Sequence, residues 1–115
     1  MILIIDDDKA VRTSLSLLLK QAGFATTTAE GPDDARASVR AKEPALILLD
    51  MNFSVGTSGD EGLQLLREIK TLAPKCPVVL ITAWGSIPLA VEGMKAGAAD
   101  FITKPWNNER LLQSV

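Results

Sequence analysis

The chain of 115 residues contains no histidine and only one cysteine, Cys76. Without histidine, it cannot form a Ser–His–Asp triad, a histidine metal site or a histidine phosphocarrier. A single cysteine excludes an intramolecular disulfide and a cysteine-rich zinc site, and it is typical of a reducing, cytosolic setting. Cys76 itself is expected to be a small, packed apolar side chain.

The sequence also lacks an excess of basic residues and any long apolar run. Twelve Lys and Arg against fourteen Asp and Glu give a net charge of -2, which argues against a nucleic-acid-binding surface on this chain. The apolar runs at 2–5 and 45–49 are far shorter than the ~20 residues of a membrane helix, and no signal peptide begins the chain. We therefore expect one cytoplasmic domain that does not bind a membrane.

Strand-like and helix-like segments alternate five times along the chain. An amphipathic helical pattern follows each apolar strand pattern, and residues 51–61 are predicted to form a loop. This alternation predicts an α/β domain with a five-stranded parallel sheet and helices on both faces, a doubly wound, flavodoxin-like (βα)5 fold. The strands are predicted at residues 1–5, 24–28, 45–49, 78–81 and 99–103, and the helices begin near Lys9, Pro32, Leu63, Ile87 and Asn107.

Polar side chains follow four of these five predicted strands. The carboxyl ends of parallel strands meet at one edge of an open sheet, which is where such sheets bind ligands. We expect Asp8 to be only the N-cap of the first helix. The polar residues are Asp6, Asp7 and Asp8 after the first strand, Asp50 after the third, Thr82 after the fourth and Lys104 after the fifth.

Three carboxylates that converge at a strand edge repel one another unless a cation balances them. Mg²⁺ prefers oxygen ligands, so Asp7 and Asp50 are predicted as direct ligands, with Asp6 binding directly or through water. The ammonium of Lys104 and the hydroxyl of Thr82 suit phosphoryl oxygens, and a carboxylate can itself accept a phosphoryl group. These residues predict a magnesium-dependent carboxylate site linked to phosphate.

The four motifs I-I-D-D-D, L-L-D, I-T-A and K-P stand in this order at the four strand ends, and G-A-A-D-F-I precedes K-P. Together they resemble the receiver domain of two-component response regulators over essentially the whole chain. The resemblance implies that Asp50 accepts a phosphoryl group from a histidine kinase or a small phosphodonor. It also implies that Asp6, Asp7, Asp50 and the main-chain carbonyl of Asn52 bind Mg²⁺.

The same resemblance implies that Thr82 and Lys104 hold the phosphoryl oxygens and that Phe101 is the aromatic side chain that turns inward. The surface of the fourth helix, fifth strand and fifth helix would then change and control an output domain, expected to be transcriptional, or form a homodimer. Such a domain assists its own phosphorylation and dephosphorylation without being a turnover enzyme. We expect residues 1–115 to be a receiver excised from a longer regulator, with the fifth helix truncated near 115.

One segment departs from the usual receiver pattern. The loop M-N-F-S-V-G-T-S-G-D-E-G after Asp50 is longer than usual and lacks a proline. It resembles a loop variant in receivers of enhancer-binding transcription activators. Asn52 and Trp84 stand two positions after Asp50 and Thr82, where the family tunes the lifetime of the phosphoryl group.

Two other functions compete with this interpretation. A magnesium-dependent phosphatase of the haloacid-dehalogenase type would also form an aspartyl phosphate, but it usually has a second aspartate where this chain has Asn52, which cannot donate an acidic proton. A degenerate receiver that only mediates protein contacts is disfavoured because every charged site residue is present.

Several other side chains have two readings. The tryptophans can cover the sheet edge, or an exposed patch around the fifth helix can form an interaction surface. Both readings stay open at this point. Asp60 and Asp100 are expected to be solvated. The patch would comprise Trp106, Leu111 and Leu112.

Overall fold

A computed structural model describes residues 1–51, 60–82, 87–103 and 106–115, except for the side chains of residues 60, 61, 87 and 89. Five strands and five helices alternate along these residues, as the sequence predicts. In chain order they are β1 Ile2–Ile5, α1 Lys9–Gln21, β2 Thr26–Ala29, α2 Pro32–Ala41, β3 Leu46–Asp50, α3 Asp60–Leu72, β4 Val78–Thr82, α4 Ile87–Lys95, β5 Asp100–Thr103 and α5 Asn108–Ser114.

The five strands form one sheet in the order β2-β1-β3-β4-β5, and every neighbouring pair is parallel. The predicted doubly wound fold is therefore confirmed. The chain leaves β1 toward one sheet edge and leaves β3 toward the other, so the crevice between these two strands opens at their carboxyl ends. No described helix is long and apolar enough to cross a membrane.

Alternate side chains along the strands point to opposite faces of the sheet and pack in two separate apolar cores. Ile2 and Ile4 of β1 pack with Leu15, Leu19 and Leu111, so α1 and α5 cover this face. The opposite side chains of β1 pack with residues of α2 and α3, and this second core also contains Cys76, buried as expected. Burial on both faces explains why β1, β3 and β4 are almost wholly apolar.

Glycines end two of the helices, as predicted. Gly23 has a φ of 96°, and the amide of Phe24 donates to the carbonyl of Leu19 over 2.9 Å. Gly97 has a φ of 112°, and the amide of the next residue donates back to Gly93 over 3.1 Å. Both ends form the hydrogen-bond pattern of a left-handed cap, in which a residue without Cβ avoids a steric clash.

Several predicted boundaries were wrong by a few residues. β2 begins at Thr26 rather than at residue 24, because the amide of Phe24 caps α1. α3 begins at Asp60, inside the predicted loop 51–61, since a first helical turn tolerates acidic residues without an apolar pattern. Asp50 and Thr82 are the last residues of their strands, at the strand ends where the sequence predicts them.

The C-terminal helix rules out one of the two readings of the patch around Trp106, Leu111 and Leu112. Leu111 is fully buried, while Trp106 and Leu112 pack against the same core. A patch built on Leu111 is therefore not an exposed interaction surface. Asn107 caps the helix as predicted, because its side-chain oxygen accepts from the amide of Arg110 over 3.2 Å.

Asp100 is not simply solvated, contrary to expectation. Its carboxylate accepts hydrogen bonds from the guanidinium of Arg110 at 3.0 Å and from the hydroxyl of Ser114 at 3.1 Å, and so joins α5 to β5. Partial burial raises the pKa of Asp100, but hydrogen bonds from the amide of Phe101 and from these two side chains outweigh it and lower the pKa overall. No periodic pattern in the sequence indicates this contact between elements.

Candidate functional site

The ends of β1 and β3 bring three carboxylates together. The strands pair Ile5 with Leu49, so Asp6 and Asp50 follow side by side. One oxygen from each of Asp6, Asp7 and Asp50 lies within 4.8 Å of the other two. Asp6 and Asp50 are 1% and 2% exposed, whereas Asp7 is exposed. The site is therefore a shallow pocket with two buried acids and one acid at its mouth.

Contacts with α1 hold the acidic segment after β1. The amide of Asp8 donates to Oδ1 of Asp6 over 2.9 Å. The Asp8 carboxylate accepts from the amides of Ala10 and Val11, and so caps α1 as expected. From the next turn, the guanidinium of Arg12 donates to the main-chain carbonyl of Asp6 over 2.7 Å.

Arg12 was not singled out from the sequence. It lies six positions after Asp6, on a helix whose apolar pattern gives no reason to select it. The only available signal was its place one turn into the helix that follows the aspartates. Such a position lets a long cationic side chain reach back to the end of the strand.

Thr82 ends β4 beside Asp50, because the strands pair Asp50 with Ile81. Thr82 is 0% exposed, and its hydroxyl oxygen is buried without a hydrogen-bond partner within the described part of the chain. A buried polar atom left in this way costs about 1–3 kcal/mol. An oxygen of a bound group at the strand ends would supply the missing partner.

The structure does not describe Asn52, Trp84 or Lys104, so their predicted roles lie outside the described residues. β5 does bring its last residue, Thr103, into register with Thr82, and Lys104 follows Thr103 in the sequence. Phe101 of β5 is partly buried and packs against the core on the α2 and α3 face.

Gly62 brings the start of α3 close to the site. A methyl group at Gly62 would stand 3.0 Å from the carbonyl oxygen and 3.2 Å from the Cα of Met51, the residue after Asp50. Contacts of this length are tighter than most Cβ contacts in proteins, so the backbone at Met51 would have to shift by a few tenths of an ångström. The absence of a side chain at Gly62 therefore lets α3 pack directly behind the acidic pocket.

The donor set fits a hard divalent cation. Opposite ligands of Mg²⁺ are separated by about 4.2 Å, twice its usual bond length, so small side-chain rotations would bring oxygens within 4.8 Å of one another into range. The cluster consists only of carboxylates, whereas zinc favours nitrogen and sulfur ligands. A cation here would also offset the repulsion between two buried negative groups.

Comparisons with known proteins agree with this geometry. Residues 2–115 match the family described as Response regulator receiver domain. The transcriptional regulatory protein FixJ of Bradyrhizobium diazoefficiens is 42% identical over 114 residues, which cover 99% of this chain and 54% of FixJ. The chain therefore spans about half the length of this curated relative.

Solved structures give the same answer. The receiver domain of NtrX from Brucella abortus is 37% identical with a TM-score of 0.92, over 99% of this chain and 93% of that domain. A response regulator from Burkholderia pseudomallei, described as having a phosphorylated aspartic acid, a calcium ion and citrate, is 30% identical with a TM-score of 0.85, over 96% of this chain and 63% of that one.

These matches extend over almost the whole chain. The phosphatase alternative is not favoured, because the family match and the solved neighbours are all of the signalling class. The chain belongs to the receiver-domain family of two-component response regulators.

Proposed function

We propose that this receiver is a phosphoacceptor switch in which Asp50 receives a phosphoryl group from a sensor histidine kinase. A carboxylate oxygen of Asp50 forms a bond to phosphorus while the bond between phosphorus and the kinase imidazole breaks, and the imidazole leaves. The observation that carries this proposal is the grouping of three carboxylates within 4.8 Å beside the buried hydroxyl of Thr82, which has no hydrogen-bond partner among the described residues. Carboxylates that form aspartyl phosphates are an established class of nucleophile.

We assign the cation site to Asp6, Asp7 and Asp50 together with the main-chain carbonyl of Asn52, and Mg²⁺ is the ion of choice. When bound, Mg²⁺ neutralises charge on the phosphoryl oxygens and so lowers the repulsion that the acidic pocket presents to them. The calcium ion and phosphorylated aspartic acid named for the Burkholderia relative support this assignment. Asp6 and Asp7 hold the ion, while Asp50 both binds it and reacts.

Thr82 and Lys104 are proposed to bind the remaining phosphoryl oxygens. The Thr82 hydroxyl would turn toward the phosphoryl group, since it is buried and has no competing partner among the described residues. Movement of Thr82 changes the space available to Phe101 on the adjacent strand, and the two side chains together shift the population of two conformations. Asn52 and Trp84 would set how long the phosphoryl group survives.

The signal would leave through the surface formed by α4, β5 and α5, toward an output domain beyond residue 115 or a second copy of the chain. FixJ is a transcriptional regulatory protein, which supports a transcriptional output. The length of the sequence segment between Asp50 and α3 supports an output of the enhancer-binding type. We propose a cytoplasmic protein whose receiver assists its own phosphorylation and dephosphorylation and does not itself bind nucleic acid.

The test is phosphorylation by acetyl phosphate with Mg²⁺, followed by intact mass spectrometry. We expect one adduct of about 80 Da, the mass of HPO₃, and no adduct when Mg²⁺ is removed by EDTA. Asp50→Asn should abolish the adduct. Asp8→Asn is the matched control: it removes an acid of the same segment but keeps a good N-cap residue, and it should leave the adduct unchanged.

Three other outcomes would contradict the proposal. An adduct that survives in Asp50→Asn would place the acceptor elsewhere. Continuous hydrolysis of a phosphate ester without an adduct would support the phosphatase alternative. Neither an adduct nor turnover would support a receiver that only mediates contacts.

A further inference from the structure

Arg12 contacts the backbone of the segment that contains Asp6 and Asp7. Its Nη1 donates to the main-chain carbonyl of Asp6 over 2.7 Å, and its side chain is only 12% exposed. Its Nη2 lies 3.5 Å from a carboxylate oxygen of Glu30, in the segment after β2. Arg12 therefore joins α1 to the ends of β1 and β2, next to the aspartates of the proposed cation site.

The bond to Asp6 fixes the peptide unit between two of the proposed ligands. The carbonyl of Asp6 and the amide of Asp7 belong to one planar group, so holding one orients the other. The amide of Asp6 is held on the other side by the carbonyl of Ala29, over 3.1 Å. With both sides held, the directions in which the side chains of Asp6 and Asp7 leave the backbone are set before any ion binds.

The ion pair with Glu30 does not account for the burial of Arg12. Glu30 is 75% exposed, and 3.5 Å is long for a charge-assisted hydrogen bond. The short bond to the Asp6 carbonyl is the stronger of the two contacts. The role of Arg12 therefore concerns the aspartate segment rather than a surface ion pair.

We propose that Arg12 is a positioning residue for the divalent-cation site, acting through the peptide unit between Asp6 and Asp7. This inference rests on the proposed function, because it takes the acidic pocket to be that site. Outer contacts of this kind typically change metal affinity by about 10–100-fold when they are removed. Arg12 touches neither the ion nor the phosphoryl group.

The test measures Mn²⁺ binding by electron paramagnetic resonance, with Mg²⁺ as competitor, in the chain without phosphodonor. We expect Arg12→Met, which keeps the apolar stem and removes the donors, to weaken Mn²⁺ binding about tenfold. Arg12→Lys retains one charged donor and should recover most of that loss. Glu30→Gln and the exposed control Arg40→Met should each stay within about twofold of the original chain.

A second measurement needs no metal. The Asp8 amide, which donates to Asp6, should exchange its hydrogen about tenfold faster in Arg12→Met if the segment has loosened. Thermal melting of the metal-free variants establishes that they are folded. Should Arg12→Met fail to fold, Arg12→Gln replaces it in both measurements. We expect the same weakening of Mn²⁺ binding, because the glutamine side chain is too short to reach the carbonyl of Asp6.

The outcomes separate this inference from the proposed function. If the original chain binds no Mn²⁺, both the proposed cation site and the proposed role of Arg12 are refuted. If the original chain binds Mn²⁺ and folded Arg12→Met binds it equally well, only the role of Arg12 is overturned. An effect of Glu30→Gln as large as that of Arg12→Met would also overturn it, since the ion pair would then be the active contact.

Discussion

Replacing Asp7 by asparagine should stabilise the protein when no divalent cation is present. Its carboxylate has an oxygen within 4.8 Å of both Asp6 and Asp50. Two unit charges at that distance repel by about 0.9 kcal/mol at the dielectric constant of water and by about 3.5 kcal/mol at an effective value of 20. Because Asp7 is exposed, the lower figure applies to each pair.

Salt reduces this energy further. At about 0.1 M the Debye length is about 10 Å, so roughly 0.6 of the repulsion remains at this separation. Summed over both pairs, Asp7→Asn should raise the free energy of unfolding by about 1 kcal/mol in EDTA. The gain should grow when the salt concentration is lowered.

Urea denaturation in EDTA measures the repulsion among the carboxylates, and urea denaturation in Mg²⁺ measures the stabilisation by the bound cation. Mg²⁺ stabilises a chain only to the extent that it binds the folded state, so the original protein should gain stability with Mg²⁺ and Asp7→Asn should gain much less. Glu43→Gln, an exposed acid near the opposite end of β3, is the charge-matched control and should show neither effect. Equal or lower stability of Asp7→Asn in EDTA would refute the claim that these carboxylates repel in the folded state.

Three further predictions follow from the packing and the helix ends. Gly93→Ala should destabilise the protein by about 1 kcal/mol in urea melts, because the new methyl would stand 2.2 Å from Cδ1 of buried Leu80. This overpacking outweighs the gain in helix propensity. In the control double variant, Leu80→Val should reduce the loss of stability caused by Gly93→Ala. Asn107→Ala should cost about 1 kcal/mol by removing the cap of α5, whereas Asn107→Ser should cost less. Asp100 has a lowered pKa in the folded state, and because its side chain is 38% exposed, solvent screening limits its contribution to about 0.5–1 kcal/mol. This contribution is present above the ordinary aspartate pKa and is lost as pH falls through the lower folded value. The difference in unfolding free energy between the original chain and Asp100→Asn should therefore shrink as pH falls below the ordinary aspartate pKa of about 3.9, and a constant difference would contradict the assignment.

The architecture was predictable because its signals are local. A strand pattern followed by a helical pattern specifies each βα unit within a short stretch of sequence, and Gly23 and Gly97 mark two of the helix ends. Parallel strands then bring their carboxyl ends together without further information. For this reason the grouping of Asp6, Asp7 and Asp50 could be expected from strand ends alone, although the register that places Asp6 beside Asp50 could not.

The contacts that were missed join elements that no periodic pattern connects. Arg12 reaches a main-chain carbonyl six residues back, and Asp100 joins Arg110 across two elements. In each case the partner is chosen by the packing angle of a helix on the sheet, which depends on the whole core. The start of β2 was misplaced for a related reason, since the amide of Phe24 completes the previous helix instead of the sheet.

The strands that form the apolar core also hold the charged side chains of the pocket at their carboxyl ends. β1 and β3 are buried on both faces, and this packing holds their ends rigidly enough to keep two buried carboxylates side by side despite their repulsion. A cation or a phosphoryl group bound there would change the charge of this cluster at the ends of two fully buried strands. The response must therefore appear in groups that can move, such as the Thr82 hydroxyl and the partly buried Phe101. Under the proposed function, well-packed strand ends would transmit one modification through these side chains to the neighbouring α4, β5 and α5 surface.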